Sequence, residues 1–343
     1  TGQLNNAFGY QALVTNTTGD QNTAVGHQAL YANTTADNNT AMGYKALSLN
    51  TTGYENVAIG VESMETNTTG HTNTAVGYKA LEANTTANGN TACGAYALYV
   101  NTTGTENSAF GKSALGANIG GSSNCAFGRE ALRQNTTGQE NVAVGTNALY
   151  ANTTGQQCTA MGRYANMLSN GHQNSSFGYN AGYHTTTGTN NSNFGHGATP
   201  TTATASNEVT LGNSSVTTLR CQDTSISSIS DRRDKTDIIE SKYGLNFIEK
   251  LKPVQFTWDR RILNKSDENN VHNGKKRIGF IAQDLQDAMP NNENDILDLV
   301  NDVNPERIEA KYGNLIPILV KSIQELQNKV NILEKTIENF KQL

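Results

Sequence analysis

One short phrase constrains this chain more than any other feature. Asn-Thr-Ala-Val-Gly, or a near copy, recurs thirteen times between Asn5 and Gly212 and then stops. Taking its Asn as phase zero gives Asn5, Asn22, Asn39, Asn56, Asn73, Asn90, Asn107, Asn124 and Asn141. Cys158 then stands in once, followed by Asn174, Asn191 and Asn207. The step is 17 residues, with two steps of 16 in this phasing. A Gly closes each phrase, from Gly9, Gly26 and Gly43 to Gly195 and Gly212. A second signature follows, as in Tyr44-Lys45-Ala46-Leu47, and then a turn-rich Asn-Thr-Thr-Gly, as at Asn50 to Gly53. A unit of this length is too short for a helix pair or a propeller blade. It fits one coil of a parallel β-solenoid or β-roll, each coil hydrogen-bonding to the next. Thirteen coils stacked about 4.8 Å apart make a rod of roughly 60 Å.

Within the phrase, positions one and three share one face, as in Thr23/Val25, Val57/Ile59, Ser108/Phe110 and Val142/Val144. These side chains are expected to fill the coil. Positions two and four are Ala and Gly, as in Ala24/Gly26 and Ala58/Gly60. A bend at positive φ explains the Gly. It does not explain the Ala, and a uniformly small face suits close approach of another backbone. The Ala/Gly stripe is therefore expected to pack three shafts along a common axis.

Charge divides the chain at about residue 229. Residues 1–229 hold 7 Lys/Arg and 11 Asp/Glu, whereas residues 230–343 hold 18 and 19. The first part covers itself with Thr, Asn, Gly and Ser, a composition that its strict period distinguishes from disorder. The net charge of −5 gives no reason to expect a nucleic-acid partner. No apolar run is long enough to span a membrane, so no membrane insertion is expected. No signal peptide is visible, and Thr1 reads as an internal start with a region upstream. Cys93, Cys125, Cys158 and Cys221 form no CxxC pair and read as small apolar fillers. His71, His172, His184 and His196 show no ligand spacing, so neither a metal nor another cofactor is expected. The Asn-x-Thr/Ser sequons at Asn16, Asn33, Asn50, Asn67 and Asn84 coincide with turns, where Asn is favoured in any case.

The repeat resembles the head repeats of trimeric autotransporter adhesins, which form parallel β-rolls, and also the shafts of virion fibres. Its coil length and its Tyr-x-Ala-Leu insert differ from the usual adhesin repeat.

From Ser230 the vocabulary changes. The segments are Ser230-Asp231-Arg232-Arg233-Asp234-Lys235, Leu251 to Trp258, Ile278 to Leu285, and Tyr312-Gly313-Asn314-Leu315-Ile316-Pro317. In this order they resemble the intramolecular chaperone domain of phage endosialidase tailspikes, the peptidase S74 family, over Ser230 to Leu343. The resemblance implies a C-terminal chaperone that drives trimerisation of an upstream β-rich fibre and then cuts itself off. It implies Ser230 as nucleophile, Lys235 as its base, and a cut between Ile229 and Ser230.

That chemistry is reasonable in itself. A serine hydroxyl lies beside the carbonyl of the residue before it, so proximity replaces substrate binding. Attack gives an ester, which water hydrolyses. The base must be uncharged, and a free lysine with a pKa of about 10.4 needs burial to become so. A separation of five places Ser230 and Lys235 on opposite faces of a strand and about 140° apart on a helix. Either a turn formed by Asp231 and Asp234 brings them together, or a neighbouring chain supplies the lysine. Gln283 or a backbone N–H is a candidate oxyanion donor, with Asp231 in support.

Leu319, Ile323, Leu326, Val330, Leu333, Ile337 and Phe340 alternate steps of 4 and 3, the a/d pattern of a parallel coiled coil. Phe256 and Trp258 read as core. Residues 213–229 read as an extended junction that becomes the mature C-terminus. The expected organisation is a mainly β chain: a solenoid shaft over 1–212, this junction, a small α+β chaperone/autoprotease over 230–311, and a coiled-coil helix over 312–343.

The leading expectation is a homotrimeric fibre or spike on the virion surface, made in the host cytoplasm. It would join other virion proteins upstream and meet a host cell-surface receptor, glycan or protein. His27, Tyr44 and Tyr78 are candidate contact residues. Its one reaction would be on itself, without activity on external substrates. The alternative is a cell-surface trimeric adhesin with a C-terminal trimerisation domain. A glycan-cleaving enzyme would need carboxylates clustered in a cleft, and Glu55, Glu62 and Glu65 sit at variable phases.

Overall fold

The computed structural model describes residues 2–216, 218–222, 230–258, 274, 276–289, 294–305 and 308–341. The chain forms two compact units, Thr1–Asn213 and Ser214–Leu343.

The first unit is a parallel β-solenoid. Thirteen three-residue strands, β1 (Asn6–Phe8) to β13 (Val209–Leu211), pair in sequence order into one parallel sheet. Register is strict: Thr23 pairs with Thr40, Ala24 with Ala41 and Val25 with Met42. The step is 17 residues throughout, apart from one step of 16 where Thr159 pairs with Ser175. The last coil is phased on Glu208, not Asn207: Glu208 N–H donates to Asn191 Oδ1, as Asn191 N–H does to Asn174 Oδ1 one coil earlier. Asn207 sits one position earlier, at a φ of 63°.

The faces of the strands are the reverse of the sequence expectation. The second position is the buried one: Ala24, Ala41, Ala58, Ala75 and Ala92 are fully buried, whereas the first and third positions are half-buried or exposed. Alternation fixes which residues share a face but leaves open which face is inside. The interior is narrow and is already filled. The Leu of each Tyr-x-Ala-Leu segment, such as Leu30, Leu47 and Leu81, points in and is completely buried. Beside it only Ala fits. The Ala stripe thus packs inside its own coil and is not free to meet a second shaft.

These Leu residues adopt φ values of 51°, 54° and 51°. A left-handed conformation costs an L-residue about 1–2 kcal/mol. Burying a leucine returns about 1.5–3 kcal/mol, which holds the corner in place. The phrase-closing Gly is needed for two reasons. Gly77 has a φ of 139°, and a Cβ there would lie 2.7 Å from the carbonyl carbon of Gly94 in the next coil. The bend reading of this glycine holds.

Two asparagine ladders run inside the rod. In the first, Asn73 N–H donates to Asn56 Oδ1 at 3.0 Å and its Nδ2 donates to Ala87 O at 2.9 Å. The second ladder uses the Asn of Asn-Thr-Thr-Gly. Asn67 Nδ2 donates both to Asn50 Oδ1 at 2.8 Å and to Gly70 O at 2.9 Å. From Asn22 and Asn33 onward both sets are buried, so the sequon asparagines Asn33, Asn50, Asn67 and Asn84 have no free amide to carry a glycan, whereas Asn16 in the first coil is half-buried. Cys158 interrupts the first ladder: its N–H still donates to Asn141 Oδ1, but a thiol replaces the amide. Of the four cysteines only Cys158 is buried; Cys93 and Cys221 are exposed, against the filler expectation, and all four are free.

The second unit is small and mixed. Helix α1 (Leu245–Ile248) precedes a hairpin of β14 (Val254–Thr257) and β15 (Lys276–Gly279), then α2 (Ala282–Ala288) and α3 (Asn294–Leu297). A short pair, β16 (Val300–Asn301) and β17 (Glu309–Ala310), leads to the long helix α4 (Ile316–Lys341). The core is Tyr243, Phe247, Leu285, Leu297, Leu299, Val300, Leu315 and Ile318. Phe256 and Trp258 lie outside it, stacked edge-on at 5.3 Å with Trp258 exposed. Neither belongs to the core cluster among the described residues. In the junction, residues 218–222 have no regular structure, while 217 and 223–229 lie outside the described residues.

Candidate functional site

Ser230 is the first described residue after the junction. A single 3₁₀ turn, Arg232–Asp234, follows it. Asp231 caps this turn: its Oδ1 accepts from Arg233 N at 2.9 Å, and its carboxylate also holds the Arg233 guanidinium at 2.6–3.1 Å. That guanidinium keeps the Asp231 carboxyl below the ordinary carboxylate range. Asp234 N–H and Lys235 N–H donate to Asp231 O and Arg232 O, both at 3.2 Å. The turn thereby reverses the chain between extended Asp231 and extended Lys235.

The consequence is a contact that neither helix nor strand would give. Lys235 Nζ hydrogen-bonds Ser230 Oγ and also reaches Ser230 O at 3.5 Å. Of the two ways of assembling this pair, the local turn suffices. Both residues are exposed in the single chain. Ile229, on the acyl side of the bond in question, lies outside the described residues. Gln283 is exposed on α2, and no hydrogen bond ties it to Ser230, Asp231 or Lys235 among the described residues.

The remaining segments act on one another. Tyr312 Oη accepts from Phe280 N at 3.1 Å and donates to Phe280 O at 3.2 Å. Gly279 makes room for that hydroxyl, since a Cβ there would lie 2.7 Å from it. Asn314 Nδ2 donates to Asp298 O at 2.6 Å, and Lys311 pairs with Asp298 at 2.6 Å. Glu325 on α4 accepts from Leu245 N at 2.8 Å, serving the start of α1. The Tyr312–Pro317 segment is therefore a clamp between the hairpin, the core and α4. Its structural role was not legible from the sequence, because the partners lie tens of residues away.

Helix α4 buries only Ile318 and Ser322 against its own unit. Leu319, Ile323, Leu326, Val330, Leu333, Ile337 and Phe340 are all exposed, from 39 to 72%. The a/d stripe is thus a separate face from the one that packs on the core.

On the shaft, Tyr10, His27 and Tyr44 stack in a row at 5.3 Å spacing, and Tyr78 meets Tyr96 edge-on at 5.2 Å. The acids that looked scattered do partly converge: Glu62, Glu65 and Glu82 bring oxygens within 4.8 Å of one another. Lys79 bridges Glu62 and Glu82 at 3.0 and 3.1 Å, and Lys45 pairs with Glu65 at 3.0 Å. The carboxylates, Glu62 foremost, raise the Lys79 pKa above its ordinary value. The cluster is an ionic clamp between coils. No helix among the described residues is long and apolar enough to cross a membrane.

Residues 230–292 match the family model of Peptidase S74, described as the chaperone of endosialidase. The match takes in the Ser230–Lys235 turn, the hairpin and α2; the Tyr312 clamp lies beyond it. No curated protein matches the chain.

Proposed function

We propose that this chain is a homotrimeric tail fibre or spike protein whose C-terminal module assists assembly of the shaft and then releases itself at Ile229–Ser230. The observation that carries this reading is the Lys235–Ser230 hydrogen bond, set by a capped turn at the joint between a β-solenoid and a segment matching an endosialidase chaperone.

In the proposed reaction Ser230 Oγ attacks the Ile229 carbonyl carbon while Lys235 Nζ takes the hydroxyl proton. The C–N bond breaks, that proton goes to the departing Ser230 amine, and an ester links Ile229 to Ser230 Oγ. Water then cleaves the ester, leaving an Ile229 carboxylate and a free serine. Nζ must be neutral to begin. Burial is the usual way to discharge an ammonium. The exposure of both residues in one chain therefore fits a site that works only once something covers it. Three copies joined through the α4 stripe supply such a cover, so release follows assembly. In the attack step Gln283 or a backbone N–H acts as the oxyanion donor, and the mature shaft is left to attach to a host receptor at the virion surface.

Replacing Ser230 with Ala should leave full-length chains in a trimer. The unaltered chain should give pieces of 229 and 114 residues on a denaturing gel. Pieces of those sizes from the Ser230→Ala chain would show that the dyad is misassigned.

A further inference from the structure

The outer face of the thirteen-stranded sheet is unusual for a surface. Each strand presents its first and third residues outward, and none of these positions carries a charge in any coil. The third position is apolar throughout. Phe8, Met42, Phe110, Phe127, Met161 and Phe194 are each more than a third exposed. A continuous exposed apolar stripe of this length marks a contact surface.

The flanks of that face are charged, and with opposite sign. Just before the strands, at phases 15 and 16, stand Asp20, Asp37, Glu55, Glu106 and Glu140, with no Lys or Arg. Just after the Gly bend, at phase 5, stand Lys112, Arg129 and Arg163, with no Asp or Glu. Lys45 and Lys79, by contrast, pair with Glu65, Glu62 and Glu82 of the same shaft. Glu106, Glu140, Lys112, Arg129 and Arg163 are exposed and form no ion pair among the described residues. Glu140 accepts from Gln157, and Arg163 lies over the Tyr164 ring at 4.4 Å.

We propose that shafts associate side by side, parallel and in register, through this outer face, with the acidic flank of one copy against the basic flank of the next. Rotation about an axis along the rod brings the leading flank of one copy to the trailing flank of its neighbour. Acid then meets base. An antiparallel pair would bring like flanks together, glutamate to glutamate. Register follows from rung positions. Glu106 and Lys112 flank the same strand, β7 (Ser108–Phe110). Glu140 leads β9 (Val142–Val144), one rung from Arg129 after β8 (Cys125–Phe127) and from Arg163 after β10 (Thr159–Met161). A rung is about 4.8 Å, within side-chain reach. A partner that matches this spacing over thirteen rungs has the same repeat, which a second copy of the chain provides.

This surface rests on the reading of the shaft as an assembly of identical copies; it does not depend on cleavage. Cys93 offers an internal probe, because it is a free thiol on the outer face of β6 (Thr91–Cys93), exposed in the single chain. In the full chain the native mass should be that of a multimer, and Cys93 should alkylate at least about tenfold more slowly than in the unfolded chain. Glu106→Lys with Glu140→Lys should shift the mass distribution towards smaller species. So should Lys112→Glu with Arg129→Glu and Arg163→Glu, and all five together should restore the multimer. A multimer in which Cys93 reacts at the unfolded rate overturns the surface and leaves the assembly reading standing. A folded monomer at micromolar concentration overturns both. Protected Cys93 with no effect of either charge set overturns the flank pairing.

Discussion

In the shaft, a residue is answered by the residue one coil away. In the C-terminal module, it is answered by one far along the chain. Asn73 finds its partners 17 and 14 positions off, in the adjacent coils. Leu245 is served by Glu325 at a separation of 80, and Phe280 by Tyr312 at 32. Stability in a repeat of nearest neighbours is close to a sum over coils and interfaces. Distant partners require loop closure before any contact forms, which makes folding slower and more concerted. The chaperone function proposed for the module would therefore lie less in folding speed than in bringing copies together, so that the charged flanks of the shaft can set their register.

Glycines break this comparison most sharply. Gly77→Ala meets both a φ of 139° and a carbonyl 2.7 Å away. It should destabilise the shaft by more than about 4 kcal/mol, seen as a collapse of the thermal transition. Gly313→Ala, with no atom within 4 Å of the added methyl, should change stability by less than about 0.5 kcal/mol in the same melt.

Next is the interior ladder. Asn73→Ala strands the buried Asn90 N–H, while the Ala87 carbonyl keeps Asn84 Nδ2 as a donor. A loss of about 1–3 kcal/mol is expected in urea unfolding, in line with one orphaned buried group. The equivalent test of the module is Tyr312→Phe, which removes both hydrogen bonds to Phe280 but keeps the ring. It should cost about 1–2 kcal/mol, with hydrogen exchange at Phe280 rising first.

The smallest effect is ionic. The Lys321 ammonium beside Glu240 holds its carboxyl below the ordinary glutamate range. A carboxyl lowered on folding contributes stability above its unfolded pKa and loses it as pH falls through the folded one. Glu240→Gln should lower the module's stability slightly in the neutral region and leave it unchanged at pH below the folded pKa, so that the acid limb flattens, as thermal melts across pH would register. The pair is exposed, so the change is small.

Much of the architecture was legible. A strict period with a Gly at every bend predicts coils stacked in parallel. The Ser230–Lys235 spacing left open a turn or a lysine from a neighbouring chain, and the structure has a turn, capped by Asp231. The heptad positions of α4 are the exposed ones. What was missed had its partners outside the window of local pattern. Asn at phase 11 looked like turn chemistry, although its recurrence from Asn16 to Asn152 is also what a buried ladder requires. Phe256 and Trp258 looked like core because large aromatics usually are.

By itself the sequence determined the repeat length, the strand and bend positions and the change of character at residue 230. Only the tertiary structure decided that Ala and Leu fill the rod while Val, Met and Phe face out. It also decided that the last coil is counted from Glu208, and that Ser230 and Lys235 stand open to water in a single chain. The reason is physical. Alternation and spacing record which side chains travel together, but inside and outside are properties of a closed coil of finite width, and exposure belongs to the surface that results.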